Sequence, residues 1–94
     1  MAEPETIDLL LVDDDGEFRA TVARRFLRRG LRVQEAASGE EAIGQAECRQ
    51  FDVVILDMMM PGLSGLEVLE KLKTGGFEGE IVLLTGQGNE AGGL

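Results

Sequence analysis

The stretch Val53 to Glu67, VVILDMMMPGLSGLE, decides the fold. It opens with the apolar run Val53 to Leu56, which stops at Asp57, and Pro61 with Gly62 then marks a loop. A short unbroken apolar run between polar breaks fits a strand buried on both faces. Ser64 and Glu67 have the spacing of a capping box, in which a hydroxyl and a carboxylate satisfy the free N–H groups at a helix start, and Leu63 and Val68 sit at the positions of a hydrophobic staple. A helix therefore begins near Gly65 and ends before Gly75 and Gly76.

The same punctuation repeats outward from this segment. Upstream, Ile7 to Val12 is a short apolar run closed by Asp13, Asp14, Asp15 and Gly16, and it reads as a first buried strand. From Glu17 the period changes: Phe18, Val22 and Phe26 recur four apart, arginines fill the other faces, and Gly30 follows at a helix stop. Arg32 to Ala36, with Val33 amid polar residues, fits a short edge strand. Ser38 and Glu41 repeat the capping-box spacing and start a second helix, which turns Ala42, Ile43 and Ala46 inward and is weakened by Gly44. Downstream, Ile81 to Leu84, followed by Thr85 and Gly86, is a fourth apolar strand, and glycine-rich Gln87 to Leu94 is expected to lack regular structure. Strands and helices alternate, and three of the four strands are continuously apolar, as when helices cover both faces of a parallel sheet. The class is open α/β.

Composition narrows the function. A chain of 94 residues, 44% hydrophobic and 29% charged, holds one small core. Its longest apolar runs are far short of the roughly 20 residues that span a bilayer, and the acidic, polar start from Met1 to Thr6 is unlike a secretion signal, so a cytosolic location is expected. The absence of histidine excludes Ser/His and Cys/His nucleophilic sites and His-ligated zinc. Cys48, the single cysteine, is read as a packed or half-exposed thiol. A net charge of -9 is the wrong sign for a phosphate-backbone binder, so no direct nucleic-acid binding is expected. Charge is also patterned: Met1 to Glu17 carries seven acids and no base, and Phe18 to Arg32 six arginines and no acid. The basic block reads first as a solvated helix face and second as a docking face.

In an open parallel sheet the site lies outside the carboxyl ends of the strands. The polar residues there are Asp13 and Asp14 after the first strand, Asp57 after the third and Thr85 after the fourth. Three carboxylates brought together repel unless a cation neutralises them, and an all-oxygen cluster suits a hard ion such as magnesium.

Leu10 to Asp14, the Asp57 to Gly65 segment with Met60 and Pro61, and Thr85 with Gly86 together resemble the receiver domain of two-component response regulators, over about Ile7 to Gly86. The resemblance implies a flavodoxin-like strand order, 2-1-3-4 in this chain, and a signalling domain rather than an enzyme. It implies that Asp57 accepts a phosphoryl group from a sensor histidine kinase or phosphotransfer protein. It further implies a metal site, for Mg2+ or Mn2+, built from Asp14, Asp57, the backbone carbonyl of Met59 and Asp13, directly or through water. Thr85 would be the switch hydroxyl that turns towards the phosphoryl group. That family also has a lysine at the end of a fifth strand; Lys71 and Lys73 fall on the third helix, so no lysine here takes that part. The expectation is a receiver over residues 1–94, incomplete at its C-terminus.

Two other readings stand beside this one. Asp13, Asp15 and Gly16 after an apolar strand also resemble the start of haloacid-dehalogenase-type phosphatases, with Asp13 as nucleophile, Asp15 as acid/base and Thr85 as a second motif, although the lysine and late acidic pair of that family are missing. The other is a phosphorylation-independent interaction module that keeps only the fold. The fourth strand, with no fifth beside it, would be an apolar edge, so a homo-oligomer paired through that strand is expected.

Overall fold

The structure, a computed structural model, describes residues 6–84. Seven elements alternate: β1 (Asp8–Val12), α1 (Gly16–Arg28), β2 (Arg32–Ala36), α2 (Gly39–Cys48), β3 (Val53–Asp57), α3 (Gly65–Thr74) and β4 (Glu80–Leu84). The strands form one parallel sheet in the order β2-β1-β3-β4, the expected order. In register, Val12 lies beside Ala36 and Leu56, so the carboxyl ends of β1, β2 and β3 are level.

Alternation along β1 builds two cores. Leu10 and Val12 point to one face, where they meet Val54, Leu56, Ala42 of α2, and Val68 and Leu72 of α3. Leu9 and Leu11 point to the other, where they meet Val22, Ala23 and Phe26 of α1. Nearly all of β1 is thus removed from water, which makes it the anchor of the fold.

The helix starts follow their sequence signals closely. At α3 the capping box is complete: Ser64 Oγ accepts from the Glu67 N–H at 3.2 Å, and Glu67 Oε1 accepts from the Ser64 N–H at 2.8 Å. Ser38 caps α2 in the same way, accepting from the Glu41 N–H at 3.1 Å, but Glu41 reaches one residue further back and accepts from the Ala37 N–H at 2.8 Å. Leu63 and Val68, the staple positions, both join the core below α2 and α3.

One sequence expectation changes. Phe18 does not share the inward face of α1; it is 47% exposed. The inward stripe is Arg19, Val22, Ala23 and Phe26, a three-and-four spacing that turns Phe18 away. Arg19 takes the first inward position because polar partners meet it at the sheet end: Nε donates to Glu35 Oε1 at 2.8 Å, and Nη1 to the Asp13 carbonyl at 2.6 Å. Among the described residues β4 is half-buried, with Val82 45% exposed. Ile81 and Leu83 pack on the α2–α3 core, whereas α1 lies over β1 and β2 and leaves the other face of β4 open among the described residues. No helix of the described residues is long and apolar enough to cross a membrane.

Two glycines test this packing in opposite directions. A Cβ on Gly65 would lie 2.7 Å from the Asp57 carbonyl oxygen and 2.7 Å from Met58 Cα, both backbone atoms, whereas one on Gly44 meets nothing within 4 Å. Gly65→Ala is expected to destabilise the protein by about 1–3 kcal/mol through overpacking. Gly44→Ala is expected to stabilise α2 by roughly 0.5–1 kcal/mol. Urea denaturation of both variants checks the pair, and equal midpoints would contradict it.

Candidate functional site

The site begins where the central strands run out of apolar residues. Beyond fully buried Val12, the Asp13 N–H donates to the Ala36 carbonyl at 3.1 Å, continuing the β1–β2 ladder by one bond. Asp13 is therefore held firmly, and it is 5% exposed. Its Oδ1 accepts from the Asp15 N–H at 2.9 Å, which turns the chain towards α1. Asp15 in turn caps α1, its Oδ1 accepting from the Phe18 N–H at 3.2 Å. The middle acid, Asp14, is exposed between them.

On the neighbouring strand Asp57 is the last residue of β3 and half-buried. The next residue, Met58, donates its N–H to the Leu84 carbonyl at 3.0 Å and accepts from the Gly65 N–H at 3.2 Å, so β4 and the start of α3 both brace this strand end. Asp57 Oδ1 accepts from the Met59 N–H at 3.2 Å. Met59 is 65% exposed, while Met60 folds into the core.

One carboxylate oxygen from each of Asp13, Asp14 and Asp57 lies within 4.8 Å of the others. Unit charges this close repel by roughly 3 kcal/mol at an effective dielectric of about 20, and by less where Asp14 is open to water. Burial pushes the Asp13 carboxyl above its ordinary range, and the charges of Asp57, Asp14 and Asp15 add to the shift against the Asp15 N–H bond, which lowers it. The nearby Arg19 guanidinium is held by Glu35 and by the Asp13 carbonyl. A donor set of carboxylate oxygens suits a hard divalent cation with oxygen ligands.

A family model described as the response regulator receiver domain matches residues 9–92. The chain belongs to that family.

Its relatives include the transcriptional activator protein PfeR of Pseudomonas aeruginosa, 45% identical over 65 residues covering 69% of this chain, and the transcriptional regulatory protein ResD of Bacillus subtilis, 32% identical over 91 residues covering 97%. This chain spans 21% of the length of PfeR and 38% of ResD. Among solved structures it is similar to the response regulator TrrA of Thermotoga maritima in complex with Mg(2+)-BeF, with a TM-score of 0.82 and 32% identity over 93% of this chain and 76% of that one. It is also similar to a response regulator of Burkholderia pseudomallei with a phosphorylated aspartic acid, calcium ion and citrate, with a TM-score of 0.79 and 31% identity over 85% of this chain and 47% of that one.

Of the receiver positions read from the sequence, Asp13, Asp14 and Asp57 are brought together, with Met59 bonded to Asp57 through its N–H. Thr85 and the Gln87 to Leu94 segment lie outside the described residues. Asp15, considered above as an acid/base, has its carboxylate engaged in capping α1. Two contributions of this receiver were not read from the sequence: the Asp15 cap, hidden in a run of three acids, and Arg19, one of six arginines between Phe18 and Arg32.

The raised pKa of Asp13 carries a pH signature. Between the ordinary carboxylate range and the raised value the folded state keeps a proton that the unfolded chain has lost, so stability falls as pH rises through that window. Asp8 has the opposite sign: its bond to Arg32 lowers its pKa, and the stability it contributes is lost as pH falls through that lowered value. Asp13→Asn keeps an acceptor for the Asp15 N–H and removes the charge. Metal-free Asp13→Asn is expected to melt higher than the parent at neutral pH, with a flatter decline above about pH 4, read by thermal melts across pH. Coincident profiles for the two proteins would contradict this account.

Proposed function

We propose that this receiver is a phosphoacceptor of a two-component phosphorelay in the cytoplasm, taking a phosphoryl group on Asp57 from a sensor histidine kinase or phosphotransfer protein. The convergence of Asp13, Asp14 and Asp57 at the carboxyl ends of the central strands carries the proposal. Its chemical content is a carboxylate oxygen of Asp57 attacking the phosphorus of a phosphohistidine. A P–O bond forms, the P–N bond breaks, and the departing imidazole keeps the electron pair and takes a proton from water. Asp57 suits the part because it is half-exposed and held by the Met59 N–H on one oxygen.

Asp13, Asp14, Asp57 and the Met59 backbone carbonyl are the groups proposed to hold Mg2+ or Mn2+. When bound, the ion offsets the charge of the nucleophile and of the phosphoryl oxygens. Buried Asp13, its pKa raised, is the member with most to gain from that neutralisation. The similar TrrA structure is a complex with Mg(2+)-BeF, and the Burkholderia pseudomallei regulator carries a phosphorylated aspartic acid, which supports both halves of the reading. Thr85 is proposed as the hydroxyl that contacts the phosphoryl group. The chain acts here as an acceptor in signalling, not as an enzyme with turnover.

Two measurements test the proposal. With a small-molecule phosphodonor and Mg2+, the parent chain is expected to gain one phosphoryl group by intact mass, and Asp57→Asn none; equal labelling of the two would overturn the assignment, and an unlabelled parent would favour a phosphorylation-independent module. Separately, Mg2+ at about 100 times its Kd stabilises the binding-competent fold by roughly 2.7 kcal/mol, a rise of the order of 10 °C in Tm for a domain of this size. Asp14→Ala is expected to abolish most of that rise, and an equal rise in both proteins would place the ion elsewhere.

A further inference from the structure

Three hydrogen bonds close a ring beside the acidic cluster. The Asp15 N–H donates to Asp13 Oδ1 at 2.9 Å, the Arg19 N–H donates to the Asp15 carbonyl at 2.9 Å, and Arg19 Nη1 returns to the Asp13 carbonyl at 2.6 Å. The third bond differs in kind from the other two. A carbonyl just past the end of a strand ladder must find a partner outside the ladder, and here a charged side chain from the following helix supplies a charge-assisted one. The Arg19 side chain is 19% exposed, low for an arginine.

A second partner fixes where this guanidinium stands. Arg19 Nε donates to Glu35 Oε1 at 2.8 Å. Glu35 is itself held on two sides, in register with Leu11 on β1 and with its carbonyl accepting from Gln45 Nε2 of α2 at 2.9 Å. The planar fork of an arginine lets Nε and Nη1 serve both acceptors at once, a spacing that a lysine ammonium does not reproduce. Among the described residues Arg19 pairs with Glu35 and forms no ion pair with Asp13, Asp14 or Asp57.

We propose that Arg19, steered by Glu35, is the positioning residue of the acidic site. The peptide it holds is the one that joins Asp13 to Asp14. With the Asp13 N–H fixed to the Ala36 carbonyl at 3.1 Å and the Asp13 carbonyl fixed by Arg19, the backbone is pinned on both sides of the Asp13 side chain. The same peptide plane sets the direction in which Asp14 leaves the strand. Asp13 Oδ1 is engaged by the Asp15 N–H, so Oδ2 is the oxygen without a protein donor among the described residues. Arg19 thus acts on an ion through the backbone, as the outer partners of metal ligands do. This role rests on the reading of Asp13, Asp14 and Asp57 as a divalent-cation site.

Charge and position predict opposite signs. As a charge alone, Arg19 repels a divalent cation, and Arg19→Met would tighten binding. As a positioning residue it keeps the carboxylates aimed at the ion, and Arg19→Met weakens binding, by about tenfold if Arg19 behaves like other outer partners of metal ligands. Glu35 is coupled to this effect. In the parent, Glu35→Ala frees the guanidinium and weakens binding, whereas in the Arg19→Met background Glu35 has nothing left to steer and its removal costs nothing further. Were Glu35 to act by its charge alone, its removal would cost the same in both backgrounds.

Calorimetric titration of the folded full chain with Mg2+ reads the cycle of parent, Arg19→Met, Glu35→Ala and the double variant, with urea denaturation reporting stability separately. Arg19→Met is expected to bind about tenfold more weakly, Glu35→Ala to fall between it and the parent, and the double variant to match Arg19→Met. Arg19→Lys, which keeps the charge and loses the fork, is expected to stay weaker than the parent. A second readout needs no ion. In the metal-free protein the Asp15 amide reports the orientation of Asp13, because it donates to Oδ1. Its hydrogen exchange is expected to rise about tenfold in Arg19→Met, the order of one lost hydrogen bond, beyond any change at the amide of Leu11, which is buried in β1 and tracks global stability. Unchanged or tighter Mg2+ binding in Arg19→Met, additive costs of the two single variants, a parent-like Arg19→Lys, or an unchanged Asp15 amide would each overturn the proposal. A parent that takes up no Mg2+ would instead sink the cation reading, and the Asp15 amide alone then decides whether Arg19 positions Asp13.

Discussion

β1 is hydrogen bonded along both edges and packed on both faces, and its residues Leu9 to Val12 are almost wholly removed from water. A strand so enclosed cannot slip by one residue without exchanging the side chains meant for α1 with those meant for α2 and α3. That restriction sets the height at which the apolar sequence ends and Asp13 begins. Because β3 is registered against the same strand, Asp57 ends at the same level. The close approach of three like charges is therefore imposed by apolar packing below them, and the acids contribute nothing to their own gathering.

The elements that brace this end are small and specific. Gly65 lets α3 start against the backbone of Asp57 and Met58, where any side chain would collide. Met58 ties the end of β3 to Leu84. On the other side Arg19 joins the Asp13 carbonyl to Glu35 of β2, a contact that holds α1, β1 and β2 together at the rim of the acidic cluster. Each brace acts on backbone, which leaves the carboxylates themselves available for chemistry.

Much of this was legible in the sequence because the signals were redundant. Apolar runs ended in acids, serines stood three residues before glutamates, and glycines closed helices, so strands, helix starts and the positions of Asp13, Asp14 and Asp57 followed from local rules. What escaped depended on a neighbour distant in the chain. Phe18 continues the spacing of Val22 and Phe26, but the inward place on the first turn belongs to Arg19, whose partners lie on other elements. Asp8 looks like a break in an apolar run; its place in register beside Arg32 makes it half of an ion pair, with Oδ1 to Nε at 2.8 Å.

The position of β1 in the sheet also dictates an order of events. Its partner β2 follows after α1, but its other partner β3 begins only at Val53, and the contact that closes this end, the Asp8 N–H to Asp52 Oδ2, spans 44 positions. Parallel pairing of this kind pays its loop-closure entropy before any reward, and it folds slowly compared with local hairpins or helix pairs. During synthesis, α1 and the β1–β2 pair can form while β3 is still being made, leaving the future inner edge of β1 bare in the meantime. Asp13 to Asp15 follow directly on that waiting edge, and the charges of such a run disfavour strand addition beyond Val12.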